Sequence, residues 1–246
     1  MSRPSTLLFL FFVVFSALPL RGDIWIGGHG DIAVGLTNNQ LDLHLHFEAN
    51  ATGASGTIAA GEYEPGDHVI GVPSPSVSRP TGAQWNFLGS AANIWFLPQS
   101  VDNTKPFLGF GTEELNQANW TGLLTWSLNS VVSAPVGSNF SVWGSDQFGN
   151  PIVRMATSDG ISAADSFTQA AGGHEHFNLG FTDVGTYQIS LRIAGVHNTL
   201  GALSDSATFT FQVGNVSAVP EPSSLCLLFG TIATGVFIRA RICRKP

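Results

Sequence analysis

Residues 41–48, with the sequence LDLHLHFE, alternate apolar and polar side chains without interruption. Successive side chains of a strand point to opposite faces, so the apolar residues of this segment share one face. The polar positions are Asp42, His44, His46 and Glu48. This is the pattern of a half-buried strand in an antiparallel sheet, with one face on a core and the other in contact with solvent.

Shorter segments of the same kind recur along the chain, separated by Gly, Pro, Asn and Asp, and no long segment has the 3.6-residue period of a helix. They cover residues 93–97, 123–128, 140–143, 177–181, 187–193 and 207–213. Many short strands with frequent turns predict an all-β fold, an antiparallel β-sandwich. Tyr187 follows a turn at Gly185 and is typical of the tyrosine corner of immunoglobulin-like sandwiches, in which the hydroxyl bonds to nearby backbone.

Both ends of the chain differ from its middle. The first 22 residues contain Arg3, then the apolar run LLFLFFVVF, then small and helix-breaking residues, an order typical of a signal peptide. Near the other end, the apolar residues 225–238 precede four basic residues, which is typical of a membrane helix whose basic end stays in the cytoplasm. We therefore predict an N-terminal signal helix (1–22), a β-sandwich domain (23–217) and a C-terminal hydrophobic anchor helix (218–246).

The formal net charge of −7 conceals a strongly acidic middle. Residues 23–217 contain sixteen acidic and four basic residues, which gives a charge of −12. This charge argues against nucleic-acid binding, which needs a basic face, and favours attraction of cations. The two cysteines, Cys226 and Cys243, lie in the last segment, so the middle has no disulfide, no cysteine nucleophile and no thiolate ligand.

Five of the seven histidines occur in closely spaced pairs with each other or with an aspartate. The pairs are His29/Asp31, His44/His46 and His174/His176. Residues i and i+2 of a strand lie about 6.6 Å apart on one face, so two such imidazoles can share one ion bound at about 2.0–2.1 Å. Such a site suits zinc or another borderline divalent cation. The alternative is that these are ordinary polar residues on solvated strand faces.

The sequence has no G-x-S-x-G, no H-E-x-x-H and no P-loop motif, so we predict a binding protein rather than an enzyme. A metalloenzyme with water on an open metal position is a further alternative. The six tryptophans leave open a carbohydrate-binding module of an exopolysaccharide matrix, in which exposed rings stack on sugars. We expect Trp95, Trp126 and Trp143 in the core, because they lie in strand segments, and Trp85 and Trp120 at the surface.

The C-terminal segment contains Val219-Pro220-Glu221-Pro222, then the apolar segment, then a basic tail with Arg239 and Arg241. In this order the three parts resemble the PEP-CTERM sorting signal of Gram-negative bacteria. The resemblance implies export, recognition by an exosortase-type membrane enzyme and cleavage near Pro-Glu-Pro. The segment would hold the chain in the membrane before processing, and the mature protein would lie in the cell envelope, at the cell surface or in the extracellular matrix.

A series of motifs in the middle of the chain begins at His29-Gly-Asp31 and continues over residues 95–99, 108–114, 140–149, 174–181 and 183–187. In this order they resemble the choice-of-anchor M domain, a surface-protein module joined to different anchors in different bacteria. Some relatives are similar to proteins encoded beside metal-type ABC transporters, which implies metal handling and no particular activity. We therefore predict a non-catalytic envelope protein with His29, Asp31, His174 and His176 as metal ligands. His44 and His46, which do not match the motif, are additional candidates.

Overall fold

The computed structural model describes residues 22–216, so the predicted signal helix, anchor helix and sorting motif lie outside the described residues. The described part consists of strands and two short 3-10 helices, Ala83–Leu88 and Gln117–Asn119, neither of which is long and apolar enough to cross a membrane. The strands are β1 (Ile24–Thr37), β2 (Gln40–Phe47), β3 (Ala51–Gly53), β4 (Thr57–Ile58), β5 (Gly61–Tyr63), β6 (Val69–Pro73), β7 (Val77–Ser78), β8 (Asn93–Leu97), β9 (Pro106–Gly111), β10 (Trp120–Ser133), β11 (Phe140–Ser145), β12 (Pro151–Ala156), β13 (Ser166–Gln169), β14 (His174–His176), β15 (Asn178–Phe181), β16 (Gly185–His197) and β17 (Gly201–Gly214).

Two sheets form an all-β sandwich, as predicted. The larger has twelve strands in the order β13-β10-β16-β17-β6-β1-β2-β5, with β9 and β3 paired to β1, β14 to β9 and β4 to β3. The smaller has the order β12-β11-β15-β8-β7. Most pairs are antiparallel, but β1 runs parallel to β6 and β9, and β17 runs parallel to β6. Parallel neighbours need a long crossover, and residues 38–105 separate β1 from β9.

The core is aromatic and connects strands that are far apart in the chain. Phe110 of β9 lies edge-on to Trp126 of β10, with 5.4 Å between ring centroids. Phe181 of β15 lies 5.2 Å from Phe211 of β17, so the smaller sheet packs on the larger one. The apolar face of the 41–48 segment is buried in the same core, which confirms the orientation predicted from its alternation.

The predicted tyrosine corner is present. The hydroxyl of the buried Tyr187 donates to the carbonyl oxygen of Asp183 at 3.0 Å and accepts from the Asp183 backbone N–H at 3.1 Å. Burial raises the pKa of Tyr187, so the hydroxyl stays protonated and available as a donor. These two hydrogen bonds connect the start of β16 to the preceding turn.

A tight hairpin sets the register of β1 against β2. Asn38 and Asn39 connect the two strands and both have positive φ, at 52° and 65°, as a two-residue hairpin turn requires. Asp31 then lies opposite His46, and Ala33 lies opposite His44. A slip of one residue would move the β2 histidines to the apolar face. This register places them on the same face as Asp31.

Candidate metal centre

One polar row crosses five strands of the larger sheet. Its members, each directly opposite the next, are His176 of β14, Gly109 of β9, Asp31 of β1, His46 of β2 and Glu62 of β5. Directly opposite residues of neighbouring strands share a face, and so do residues two apart in one strand. His29 and His174 therefore lie on this face as well. The opposite face of these strands packs on the core.

Four of the predicted residues come together as what we call the first centre: His29, Asp31, His174 and His176. Each offers one ligand atom within 4.8 Å of the other three. The Nε2 atom of His174 lies 3.0 Å from Oδ1 of Asp31, and Nε2 of His29 lies 3.5 Å from the same oxygen. Ligand atoms around a tetrahedral zinc ion lie about 3.3 Å apart when the bonds are about 2.0–2.1 Å. The first centre can therefore hold a metal ion.

Asp31 is the most deeply buried residue of the first centre. The residue is 1% exposed, and no described residue donates a hydrogen bond to either carboxylate oxygen. The 3.0 Å contact with Nε2 of His174 lacks hydrogen-bond geometry, and that nitrogen also has no partner among the described residues. Burial raises the pKa of Asp31, because a carboxylate loses its hydration there. A cation between these atoms would satisfy both of them.

Outer contacts orient two of the imidazoles. Nδ1–H of His176 donates to the carbonyl oxygen of Leu108 at 3.0 Å, which leaves Nε2 free to bind a metal. Burial lowers the pKa of His176 to about 4, so the ring is neutral near pH 7, as a metal ligand must be. Nδ1 of His174 lies 3.4 Å from Oε1 of Glu113. Carbonyl and carboxylate partners of this kind fix ligand histidines in known metal sites.

Gly109 lies directly beneath the ligand atoms of Asp31 and His174. A Cβ atom on this residue would lie 2.1 Å from Oδ1 of Asp31 and 2.5 Å from Nε2 of His174. Both distances are well below van der Waals contact, so any larger residue would occupy the space between these two candidate ligands. The absence of a side chain at Gly109 is what allows the ligands on β1 and β14 to meet across β9.

Thr112, directly after β9, positions the turn that precedes β14. Its hydroxyl donates to the carbonyl oxygen of Ala170 at 2.6 Å and accepts from the backbone N–H of Gly173 at 3.0 Å. The side chain is fully buried. These bonds bring His174 next to the end of β9 and hold Glu113 beside it.

The histidines of β2 belong to a separate group, so the three sequence pairs do not converge on one point. His44, Glu62 and Glu114 each offer a ligand atom within 4.8 Å of the others. His46 lies beside them, with Nδ1 3.7 Å from Oε1 of Glu114. Glu62, Glu113 and Glu114 were not among the predicted metal ligands. Glu113 and Glu114 lie in the motif at residues 108–114, and that position is the only local signal for them.

The tryptophans are mostly inside the protein. Trp126 and Trp143 are buried, as predicted, whereas Trp95 is only half-buried, at the margin of the core. The expectation of a surface position for Trp120 is wrong, since it is 8% exposed and its ring lies edge-on to the buried His197 at 5.2 Å. Trp85 is half-buried and packs against Trp143 in a small second cluster.

A comparison of the chain with protein-family models, with curated proteins and with solved structures gave no match.

Proposed function

We propose that the chain is an exported, non-catalytic protein of the bacterial envelope that binds a divalent transition-metal ion, zinc above all, at the first centre. The observation that carries this proposal is the meeting of three imidazoles with a buried carboxylate over Gly109, where no residue of the described range 22–216 donates a hydrogen bond to that carboxylate. The pairs His29/Asp31 and His174/His176 are far apart in the sequence, and a bound cation is the simplest partner for all four groups.

The donor set supports zinc and a binding role. Imidazole nitrogens suit zinc and its neighbours in the first transition row, and a carboxylate completes a mixed nitrogen and oxygen set. Four protein ligands fill a tetrahedral ion, whereas a catalytic zinc site keeps one position for water. The first centre offers four ligands, so it matches the closed type. Its donors also resist oxidation, which suits a protein outside the cytoplasm.

The sequences of the two ends of the chain support the proposed location in the bacterial envelope. An apolar run after a positive charge begins the sequence, and the Pro-Glu-Pro segment with its basic tail ends it. Their resemblance to a signal peptide and a PEP-CTERM signal supports export, an exosortase-type enzyme as the processing partner, and membrane contact before cleavage. The charge of −12 over residues 23–217 supports attraction of cations to the exported domain.

The test is zinc binding by the full chain, purified in mild detergent because its ends are apolar and freed of metal with a chelator. Competition with a chromophoric chelator measures the affinity. Asp31→Asn keeps the shape of the side chain and removes its charge, and we expect it to weaken binding by at least about 100-fold. His68→Ala is the control, because His68 contacts the backbone of Asp23 and lies outside the first centre. Equal zinc affinity in the wild type and Asp31→Asn would contradict the proposal.

A further inference from the structure

We propose that the same sheet face carries a second divalent-cation site, formed by His44, Glu62 and Glu114 with His46 beside them. We call this group the second centre. It goes beyond the proposed function, because it shares no ligand with the first centre and its occupancy is measured separately.

His44 is the buried ligand of the second centre. Its side chain is 8% exposed, and both ring nitrogens face oxygen atoms that accept hydrogen bonds. Nδ1 lies 3.1 Å from the carbonyl oxygen of Asp42, and Nε2 lies 2.9 Å from Oε1 of Glu114. A carbonyl only accepts, so Nδ1 donates to it, and Nε2 is the ring nitrogen directed at the carboxylate. Nε2 and the carboxylates of Glu114 and Glu62 are close enough to bind one cation together.

The strand beneath the second centre also has a glycine, Gly35, on the ligand face. A Cβ atom on Gly35 would lie 2.8 Å from Oε2 of Glu114 and 3.6 Å from Cε1 of His44. Gly35 therefore lies under Glu114 as Gly109 lies under Asp31. Each group of ligands meets over a glycine of the central strands.

The register brings the remaining ligands to the same place. Glu62 of β5 is directly opposite His46 of β2, so both side chains lie on the polar face. Glu114 reaches this face from the turn after β9, where the N–H of Leu115 donates to the carbonyl oxygen of Thr112 at 3.0 Å. Glu113 and Glu114 thus lie in one turn, and the first contacts His174 while the second contacts His44.

The ligands define the class of ion. Two carboxylates with one or two imidazoles form a harder, more oxygen-rich set than the first centre, which suits Mn²⁺, Fe²⁺ and Zn²⁺ alike. Glu62 and Glu114 are exposed, so water can complete the coordination. We therefore expect the second centre to bind its ion more weakly than the first centre and to exchange it faster.

Equilibrium dialysis of the full chain against zinc alone, followed by metal analysis, tests the second centre. We expect two ions per chain in the wild type, one in Glu114→Gln, one in Asp31→Asn and none in the double variant. Glu175→Gln is the control, because Glu175 lies on β14 but belongs to neither centre, and it should bind two.

The outcomes separate this proposal from the previous one. One ion in the wild type that is lost in Asp31→Asn and kept in Glu114→Gln overturns the second centre and leaves the first intact. That result would mean that His44 and Glu114 form a direct hydrogen bond with no ion between them. One ion that is lost in Glu114→Gln and kept in Asp31→Asn overturns the first centre instead. Equal stoichiometry in the wild type and Glu114→Gln also overturns the second centre.

Discussion

Replacing Gly109 by alanine should abolish tight metal binding although Gly109 contributes no ligand. The new Cβ atom would lie 2.1 Å from Oδ1 of Asp31 and 2.5 Å from Nε2 of His174. Ordinary van der Waals contact requires that oxygen to move by about 1 Å, whereas metal–ligand distances tolerate only about 0.2 Å. Asp31 and His174 cannot then bind one ion together. We expect the zinc affinity to fall at least about 100-fold, or about 2.8 kcal/mol.

The chain offers a matched control for this variant in Gly111→Ala. Gly111 lies two residues further along β9 on the same face, and a Cβ there would meet Asp31 and Ala33 at 3.6 and 3.8 Å, which is ordinary contact. Both variants add one methyl group to the same strand, so effects on strand propensity cancel. Chelator competition measures the affinity, and circular dichroism checks the fold. A folded Gly109→Ala protein whose zinc affinity is within about threefold of that of the Gly111→Ala protein would show that Asp31 and His174 do not need a glycine at position 109 to bind an ion.

Three further predictions address protonation, folding and location. In the metal-free protein, burial should keep His176 neutral down to a pKa of about 4, as ¹⁵N NMR of its ring would show; a midpoint near 6.5 would contradict this. Because the unfolded chain takes up this proton below about pH 6.5 and the folded chain does not, His176 should lower stability as the pH falls from 6.5 towards 4. Tyr187→Phe should lower the free energy of unfolding, measured in urea, by about 1–2 kcal/mol, because the hydrogen bonds to Asp183 are lost. Tyr63→Phe is the control, because its exposed hydroxyl bonds only to the carbonyl oxygen of Ala59. An effect of Tyr187→Phe no larger than that of the control would argue against the tyrosine corner as a stabilising element. Deletion of residues 219–246 should move the protein from the envelope to the growth medium in fractionation, and unchanged retention would contradict the sorting signal.

Strand positions and buried faces were predictable because they depend on neighbours two residues apart. The alternation in residues 41–48 identified the core-facing side chains of β2, and the segment at 93–97 coincides with β8. The same alternation predicted a solvated position for His44, which is buried because Glu114 covers it on the polar face. The tyrosine corner was also predictable from local sequence, since Asp183, the hydrogen-bond partner of Tyr187, lies only four residues away. The four residues of the first centre were predicted as ligands from the motifs that carry the family resemblance, whereas the carboxylates of the second centre were less accessible. Glu62 and Glu114 differ from other exposed acidic residues only in what lies opposite them.

Taken by itself, the sequence determined the all-β class, the acidic character of residues 23–217 and the kinds of ligand available, because these follow from composition and short-range periodicity. Only the tertiary structure decided which ligands meet. The parallel pairing of β1 with β9 spans residues 38–105 and leaves no local periodic signal, yet it places Gly109 between Asp31 and His176. Strand register is a long-range property, since a slip of one residue sends every side chain to the other face. The two centres therefore depend on pairing between strands that are distant in the chain.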